Sequence, residues 1–413
     1  MSSSFKAPRG TFDALPEQQP ARRLVEDTSR LLLERAGYAR IETPIIEETS
    51  LFARGVGEST DIVSKQMFSF TDQGDRELTL RPEGTASVCR AYLEHGMQKW
   101  PQPAKLWYSG PFFRHERPQA GRYRQFQQIG AEAIGSDSPL VDAEMIALLA
   151  DLISMLGITD ARLRLGSLGS VDSRAAYLEE LRGYLRANDS ELSEEVRGRI
   201  DSNPLRAFDA DHEGTAKVMA EAPTMLDRLD AADAEHFEVV KGVLDDLGVT
   251  YELDPSLVRG LDYYTRTVFE FTCDSLGAQS GVGGGGRYDG LIEQLGGRPT
   301  PAVGWAAGVE RLVLAMPDQV PEPRAEIFVV ADDENRKRAL RLVVDLRRAG
   351  VSADLDLAER ATKGQMKQAD RVGAKSCVIL DSDREPVVRD MESGEQVSVA
   401  LSNLVERLSP DAS

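Results

Sequence analysis

The stretch that decides the fold runs from Pro111 to Gly135, PFFRHERPQAGRYRQFQQIGAEAIG. Two extended segments flank a polar loop containing proline and glycine. This predicts strands from Trp107 to Glu116 and from Arg124 to Ile134, joined by a loop from Arg117 to Tyr123. Side chains alternate along a strand, so Phe126, Gln128, Gly130, Glu132 and Ile134 share one surface. Gln128 and Glu132 therefore stand on either side of Gly130. A glycine there leaves a gap where a ligand can lie against the backbone, with a hydrogen-bonding group at each end. The solvated face of an ordinary hairpin has the same alternation.

Charge singles out the same region. The 413 residues carry 49 Lys and Arg against 68 Asp and Glu, a net charge of −19. Between Lys99 and Arg124 the balance reverses: Lys99, Lys105, Arg114, Arg117, Arg122 and Arg124 face one acid, Glu116. A basic patch inside an acidic chain is a place to receive an anion. The overall acidity argues against indiscriminate nucleic-acid binding and leaves specific binding through a local basic surface open. The length predicts two to three domains, and a hydrophobic fraction of 41% is sufficient for several cores. No apolar run is long enough to span a membrane, and MSSSFKAPRG lacks the apolar stretch of a secretory signal, so a cytoplasmic protein is expected. Cys89, Cys273 and Cys377 are far apart in apolar contexts and fit a reducing compartment. The four histidines have no metal-ligand spacing, and no protein-only metal site is expected.

Outward from the hairpin, Pro16 to Gly37 reads as a helix with Leu24, Leu31 and Leu32 near one face. Core packing is expected of that face, with a subunit interface as the alternative. A strand from Tyr38 to Pro44 follows. Asp72 to Asp75 turn a hairpin between residues 67–70 and 77–81. Arg81-Pro82-Glu83-Gly84-Thr85 leads into a helix from Ala86 to Glu94. Glu83 and Thr85 either project together into a site or serve the helix N-terminus. After a helix from Asp142 to Leu156, residues 170–248 read as a helical insertion, with Phe237, Val240, Leu244 and Leu247 as one stripe. β character returns at Val249. Arg259 beside Tyr263 and Tyr264 suggests either a pocket wall or an arginine snorkelling over an aromatic cluster.

The run GVGGGGRYDG, Gly281 to Gly290, reads as a loop whose backbone approaches something closely. PAVGWAAGVER, Pro301 to Arg311, reads as a proline followed by a helix on which Gly304, Gly308 and Arg311 share one face. PDQVPEP at 317–323 is a linker. Beyond it, strands at 327–331, 351–355 and 377–380 alternate with helices, a small α/β domain. Its basic clusters, Arg336-Lys337-Arg338 and Lys363, Lys367 and Arg371, suit nucleic-acid contact or a solvated helix face equally.

Taken together and in order, these segments resemble the histidyl-tRNA synthetase family of class II aminoacyl-tRNA synthetases. Tyr38 to Asp61 resembles motif 1, RPEGT at 81–85 the amino-acid-binding turn, and the segment from Phe113 motif 2. RGLDYYTRTVFE from Arg259 and GGRYDGL from Gly285 resemble two histidine-specific segments. GWAAGVERL from Gly304 resembles motif 3, with Trp305 where the family more often has phenylalanine. The resemblance implies an α+β fold: a class II synthetase-like antiparallel sheet flanked by helices. The catalytic domain would span 1–169 and 249–320, the helical insertion 170–248 and a C-terminal α/β anticodon-binding domain 325–413.

The resemblance also implies an ATP-dependent ligase that forms histidyl-adenylate, with Mg²⁺, and transfers histidine to tRNA(His). Arg114, Arg259 and Arg311 would be catalytic. Arg114, Glu116 and Arg311 would meet ATP. Glu83, Gly84, Thr85, Arg114, Gln128, Glu132, Arg259, Tyr263 and Tyr264 would hold histidine, and Arg117 and Arg122 would approach the tRNA. The family implies a homodimer. The competing expectation is a non-catalytic regulatory or histidine-sensing subunit, which should lack the catalytic arginines or the C-terminal domain.

Overall fold

Regular structure opens with α1 (Gln19–Arg35), which carries Pro20 in its first turn and is followed by Gly37 at φ +82°, a left-handed conformation that favours glycine. Its buried side is Val25, Thr28, Ser29 and Leu33. Leu24 and Leu31, expected to pack inward, stay 41% and 40% exposed. Then come β1 (Ala39–Arg40), β2 (Ile46–Glu48), α2 (Thr49–Val56), β3 (Phe68–Thr71), β4 (Glu77–Leu80) and α3 (Thr85–Glu94). The decisive hairpin follows as β5 (Ala104–Phe113) and β6 (Gln125–Ile134). α4 (Pro139–Met155), capped by the Ser138 hydroxyl, leads to β7 (Ala161–Ser167). The helical stretch holds α5 (Val171–Ala187), α6 (Glu194–Arg197), α7 (Glu213–Ala220) and α8 (Ala231–Asp246). Next are β8 (Glu252–Leu253), β9 (Thr265–Cys273), β10 (Gly281–Arg287), α9 (Leu291–Gln294), β11 (Ala302–Gly308) and α10 (Val309–Ala315).

This computed structural model describes residues 5–57, 60, 62–258, 260–317 and 326–409. The expected linker lies almost wholly outside them. The chain divides into two units, Met1–Val320 and Pro321–Ser413.

Eight strands of the first unit form one sheet in the order β1-β5-β6-β11-β10-β9-β7-β8. Pairing is parallel at β1–β5 and β7–β8 and antiparallel elsewhere. One face packs Trp107, Ile129, Ala131, Val303, Trp305 and Phe269 against the helices α1, α4, α8 and α10. α8 falls within residues 170–248, yet its Phe237, Val240 and Leu244 belong to this core, while Leu247 is exposed. α5 to α7 keep a separate core around Tyr177, Leu181, Leu185 and Val196.

Two segments differ from the sequence reading. Gly281–Arg287 is a central strand rather than a loop, and residues 302–308 are its neighbour β11 rather than the start of a helix. A Cβ on Gly285 would stand 1.9 Å from the Gly304 carbonyl. The glycines that mimic a flexible loop are therefore what lets these two backbones lie close. In β11 each glycine would cost a helix about 1 kcal/mol, whereas the strand gains pairing on both edges, from β6 and β10.

Where β9, β10, α4 and α8 meet, a polar cluster is sealed in the core. Asp142 accepts from the Arg287 guanidinium and from the Thr267 hydroxyl (2.7 Å), and its Oδ2 lies 2.8 Å from His236 Nε2. Arg287 also donates to the carbonyls of Ser136 (2.9 Å) and Ser138 (3.1 Å). Asp142, Arg287 and Thr267 are fully buried. Despite burial, these partners keep the Asp142 carboxyl below its ordinary range.

The second unit holds β12 (Ile327–Ala331), α11 (Arg336–Arg348), β13 (Ala353–Leu355), α12 (Thr362–Arg371), β14 (Ser376–Asp381), β15 (Arg384–Asp390), β16 (Gln396–Ser398) and α13 (Leu404–Leu408). Its sheet order is β13-β12-β14-β15-β16, parallel around β12 and antiparallel beyond β14. Ile327 and Val329 pack with Leu342 and Leu346 of α11 and Leu404 of α13, while Phe328 and Val330 pack with Ala369 of α12. β12 is apolar throughout because both its faces are covered. Among the described residues, no helix is long and apolar enough to cross a membrane.

Candidate active site

The face of the large sheet opposite α1 and α4 carries a row of aligned residues: Tyr108, Gly130, Ala306, Gly284 and Glu270 on β5, β6, β11, β10 and β9. Paired residues point to the same side of a sheet. Small residues in the middle of the row therefore leave an open floor between Tyr108 and Glu270. A cavity of about 410 Å³ lies there, lined among others by Glu83, Arg114, Gln128, Tyr264, Gly284 and Arg311.

Two buried carboxylates lie at one end, Glu83 lining the cavity and Glu132 sealed behind it without lining it. Glu132 has no exposed surface and accepts from three hydroxyls: Thr85 (2.8 Å), Tyr108 (3.4 Å) and Tyr288 (2.5 Å). Burial pushes its carboxyl up to about 8, against the pull of those donors. Gly304 makes room for it, since a Cβ there would fall 1.7 Å from Glu132 Oε2. Glu83, also buried, accepts from the backbone N–H groups of Thr85 (2.7 Å) and Ala86 (2.9 Å). It caps the first turn of α3 while lining the cavity. Burial raises its carboxyl too, with the two N–H groups and Arg114 opposing.

The gap expected at Gly130 is filled. The Tyr108 ring occupies it: Cβ atoms on Gly130 and Gly84 would stand 2.3 and 2.4 Å from Tyr108 Cζ. The open floor begins beyond this ring. Gln128 lines it, with a buried Oε1 that has no hydrogen-bond partner. Tyr263 and Tyr264 are buried with ring centroids 4.7 Å apart, and Tyr288 lies 5.6 Å from Tyr263.

The other part is cationic. Arg114 Nε donates to the Pro82 carbonyl at 2.8 Å, and its guanidinium stands 5.5 Å from the Phe126 ring centre. Arg311, in the first turn of α10, donates to the carbonyls of Gly121 (3.0 Å) and Gly281 (2.6 Å). Burial lowers its proton affinity, Arg122 and Arg114 add to that, and Glu116 and Glu270 oppose it. Several guanidinium groups with little water between them favour an anion in their midst. Arg122 pairs with Glu116 at the rim.

The fold thus gathers Glu83, Gly84, Thr85, Arg114, Glu116, Arg122, Gln128, Glu132, Tyr263, Tyr264 and Arg311 around one region. Arg117 is exposed on the loop and does not line the cavity. Arg259 lies outside the described residues, so the expected meeting of three arginines is described for Arg114 and Arg311. Arg311 reaches the cavity from the turn after β11, not from a helix face shared with Gly304 and Gly308.

Sequence reasoning missed Tyr108 and Tyr288, whose hydroxyls hold Glu132. Tyr288 sits inside GGRYDGL, so the signal was present without a direction. It also missed Glu310, buried, which pairs with Arg22 (2.8 Å) and accepts from the Gln127 N–H (3.1 Å), binding α10 to α1 and β6.

A mainly antiparallel sheet with buried carboxylates and guanidinium groups around one open floor is the arrangement that the resemblance to class II aminoacyl-tRNA synthetases implies. Comparisons with known proteins narrow the class. The family model described as "Histidyl-tRNA synthetase" matches residues 10–312, and one described as "Anticodon binding domain" matches residues 325–410. The histidine–tRNA ligase of Corynebacterium jeikeium is 49% identical over 98% of this chain and 93% of its own length. That of Halothermothrix orenii is 46% identical over 98% of each. The structure of apo Staphylococcus aureus histidyl-tRNA synthetase superposes with a TM-score of 0.83 at 38% identity, covering 98% of this chain and 100% of that one. The chain belongs to the histidyl-tRNA synthetase family.

Proposed function

We propose that the protein is a histidine–tRNA ligase. The observation that carries this reading is a single cavity with a cationic wall, Arg114 and Arg311, and an acidic one, Glu83, behind which the Thr85 hydroxyl reaches the sealed Glu132. The first suits a triphosphate and the second an ammonium group with a polar ring. Identity of nearly one half to ligases matched along almost their full length supports the substrate choice.

In the first step the histidine carboxylate attacks the α-phosphorus of ATP, and the bond from that phosphorus to the α,β-bridging oxygen breaks, giving histidyl-adenylate and pyrophosphate. Charge builds on the non-bridging oxygens and no proton needs to move. Fixed guanidinium groups are therefore the appropriate catalysts. Arg114 serves the α-phosphate and the carboxylate, Arg311 the phosphates, and Arg259 a second charge at the α-phosphate. In the second step the terminal ribose hydroxyl of tRNA(His) attacks the histidyl carbonyl and releases AMP, with Arg117 and Arg122 near the acceptor end. Glu83, Gly84, Thr85 and Gln128 hold the ammonium group. Glu132, Tyr263 and Tyr264 read the imidazole. A pocket that hydrogen-bonds both ring nitrogens leaves buried polar groups unpaired with any other side chain, a discrimination of roughly 10⁴ or more.

Mg²⁺ would neutralise charge on the departing pyrophosphate. Among the described residues no three His, Cys, Asp or Glu side chains gather to hold a metal. A cation would take most of its oxygens from the triphosphate, with Glu116 and Glu270 among the carboxylates on the cavity wall. The exposed Leu24, Leu31, Ile45, Ile46 and Phe70 favour a homodimer formed through the motif 1 region. The unit after residue 320 would read the anticodon in the cytoplasm. The division into catalytic residues 1–169 and 249–320, insertion 170–248 and C-terminal 325–413 follows, with α8 serving the catalytic core.

Histidine-dependent exchange of pyrophosphate into ATP, assayed across all twenty amino acids, tests this reading. Exchange with histidine alone is expected, and folded protein with no exchange would overturn it.

A further inference from the structure

The backbone carrying Tyr263 and Tyr264 does not join the sheet until Thr265. What holds it comes chiefly from the helical insertion. Arg206, in the turn Pro204–Asp209, donates from Nη2 to the Gly260 carbonyl at 2.8 Å. Asn203 Nδ2 donates to Asp262 Oδ1 at 2.9 Å. Arg174 of α5 donates to the Tyr264 carbonyl at 2.8 Å. Its guanidinium is disfavoured by burial, with Asp262 and Asp233 drawing it back. Three side chains from two elements of the insertion thus grip three points within five residues. On the catalytic side, Asp262 N–H donates to the Val56 carbonyl at 3.2 Å. Gly57 leaves space for the Asp262 carboxylate, where a Cβ would stand 2.7 Å from Oδ2. Asp209, three residues after Arg206, itself lines the cavity.

We propose that Arg206, Asn203 and Arg174 are positioning residues for amino-acid recognition: they fasten the segment bearing Tyr263 and Tyr264 to the helical insertion, so that histidine affinity depends on how the insertion is docked. None of the three lines the cavity, so they act through what they hold: the Gly260 and Tyr264 carbonyls, the Asp262 carboxylate and, from Arg206, the Asp209 carboxylate at 3.3 Å. This rests on the reading above that Tyr263 and Tyr264 face histidine. It goes beyond it in giving the insertion a part in the first half-reaction, before any tRNA is bound.

The test is pyrophosphate exchange by the full-length protein, varying histidine and ATP separately. A charge-assisted hydrogen bond to a carbonyl is strong enough that Arg206→Ala should raise the histidine KM roughly tenfold. The ATP KM and kcat should stay within about twofold, the signature of lost ground-state binding to one substrate. Arg206→Lys, which keeps a cationic donor, should recover most of the loss. Asn203→Ala should move the histidine KM in the same direction by a few-fold. Arg186→Ala removes only an exposed pair with Asp201 in the same subdomain and should leave the histidine KM unchanged. An unchanged histidine KM in Arg206→Ala, or equal losses in every parameter together with a lowered melting temperature, would overturn the proposal. A wild-type protein that exchanges with no amino acid would instead overturn the functional reading beneath it.

Discussion

Replacing Glu132 with glutamine isolates the effect of a buried proton. The side chain keeps its shape. The hydroxyls of Thr85, Tyr108 and Tyr288 that donate to it can rotate to accept instead. In the folded protein the Glu132 carboxyl titrates at about 8, against 4.5 for an ordinary glutamate. The native state therefore holds a proton that the unfolded chain gives up. The stability this contributes is full below the unfolded value and is lost as pH rises through the folded one. Across about pH 5.5 to 7.5 nearly one proton separates the two states, at about 1.4 kcal/mol per pH unit. The wild type should lose roughly 2 to 3 kcal/mol over that window from this group, and Glu132→Gln should not. Trp100, Trp107 and Trp305 all lie in the first unit, so tryptophan fluorescence during denaturant unfolding reports that unit alone. The stability difference between wild type and variant, measured at the two pH values, should shift by that amount toward the variant at the higher pH. Parallel pH profiles would show that Glu132 is ionised in the folded protein and refute the reasoning.

Arg114→Ala should lower adenylate formation roughly 10²-fold or more while the protein still folds, the side chain giving up a carbonyl, a ring face and its charge beside the buried Glu83. A wild-type exchange rate would remove Arg114 from the chemistry. Gly304→Ala should cost about 3 kcal/mol or more, because its Cβ would fall 1.7 Å from Glu132 Oε2 and 2.8 Å from the Ala131 carbonyl. Soluble variant with wild-type fluorescence unfolding would contradict the register of β6 and β11. Removing residues 321–413 should spare pyrophosphate exchange in a folded product and weaken aminoacylation. Equal aminoacylation by both proteins would exclude a tRNA role for the second unit.

The sequence was most legible where one element declares itself locally. The β5–β6 hairpin, the helix ending near Gly157 and the strand–helix alternation after residue 326 all carry their own periodicity and end signals. It was least legible where small residues serve a neighbour. GVGGGGR and AVGWAAG have no apolar period, so the first resembled a loop and the second a helix. Their glycines answer to each other's backbones and to the Glu132 carboxylate. Gly130 looks like space for a ligand in the sequence because the residue filling it, Tyr108, lies on another strand. Leu24 and Leu31 show the converse: a helical stripe says that a face is apolar, not which side of the protein it meets. The partners of Asp142 were beyond any local pattern, since its contacts lie 94, 125 and 145 positions away.

That last separation bears on biosynthesis. A carboxylate sealed from water without its counter-charge is costly, and Arg287 leaves the ribosome 145 residues after Asp142. At ordinary translation speeds of about 5–20 residues per second the delay is roughly 7 to 30 s. During it α4 cannot settle on the sheet with Asp142 charged. The nascent chain can seat α4 earlier only by protonating Asp142; with the charge retained, the helix waits for the glycine-rich strand that brings Arg287 to close the core.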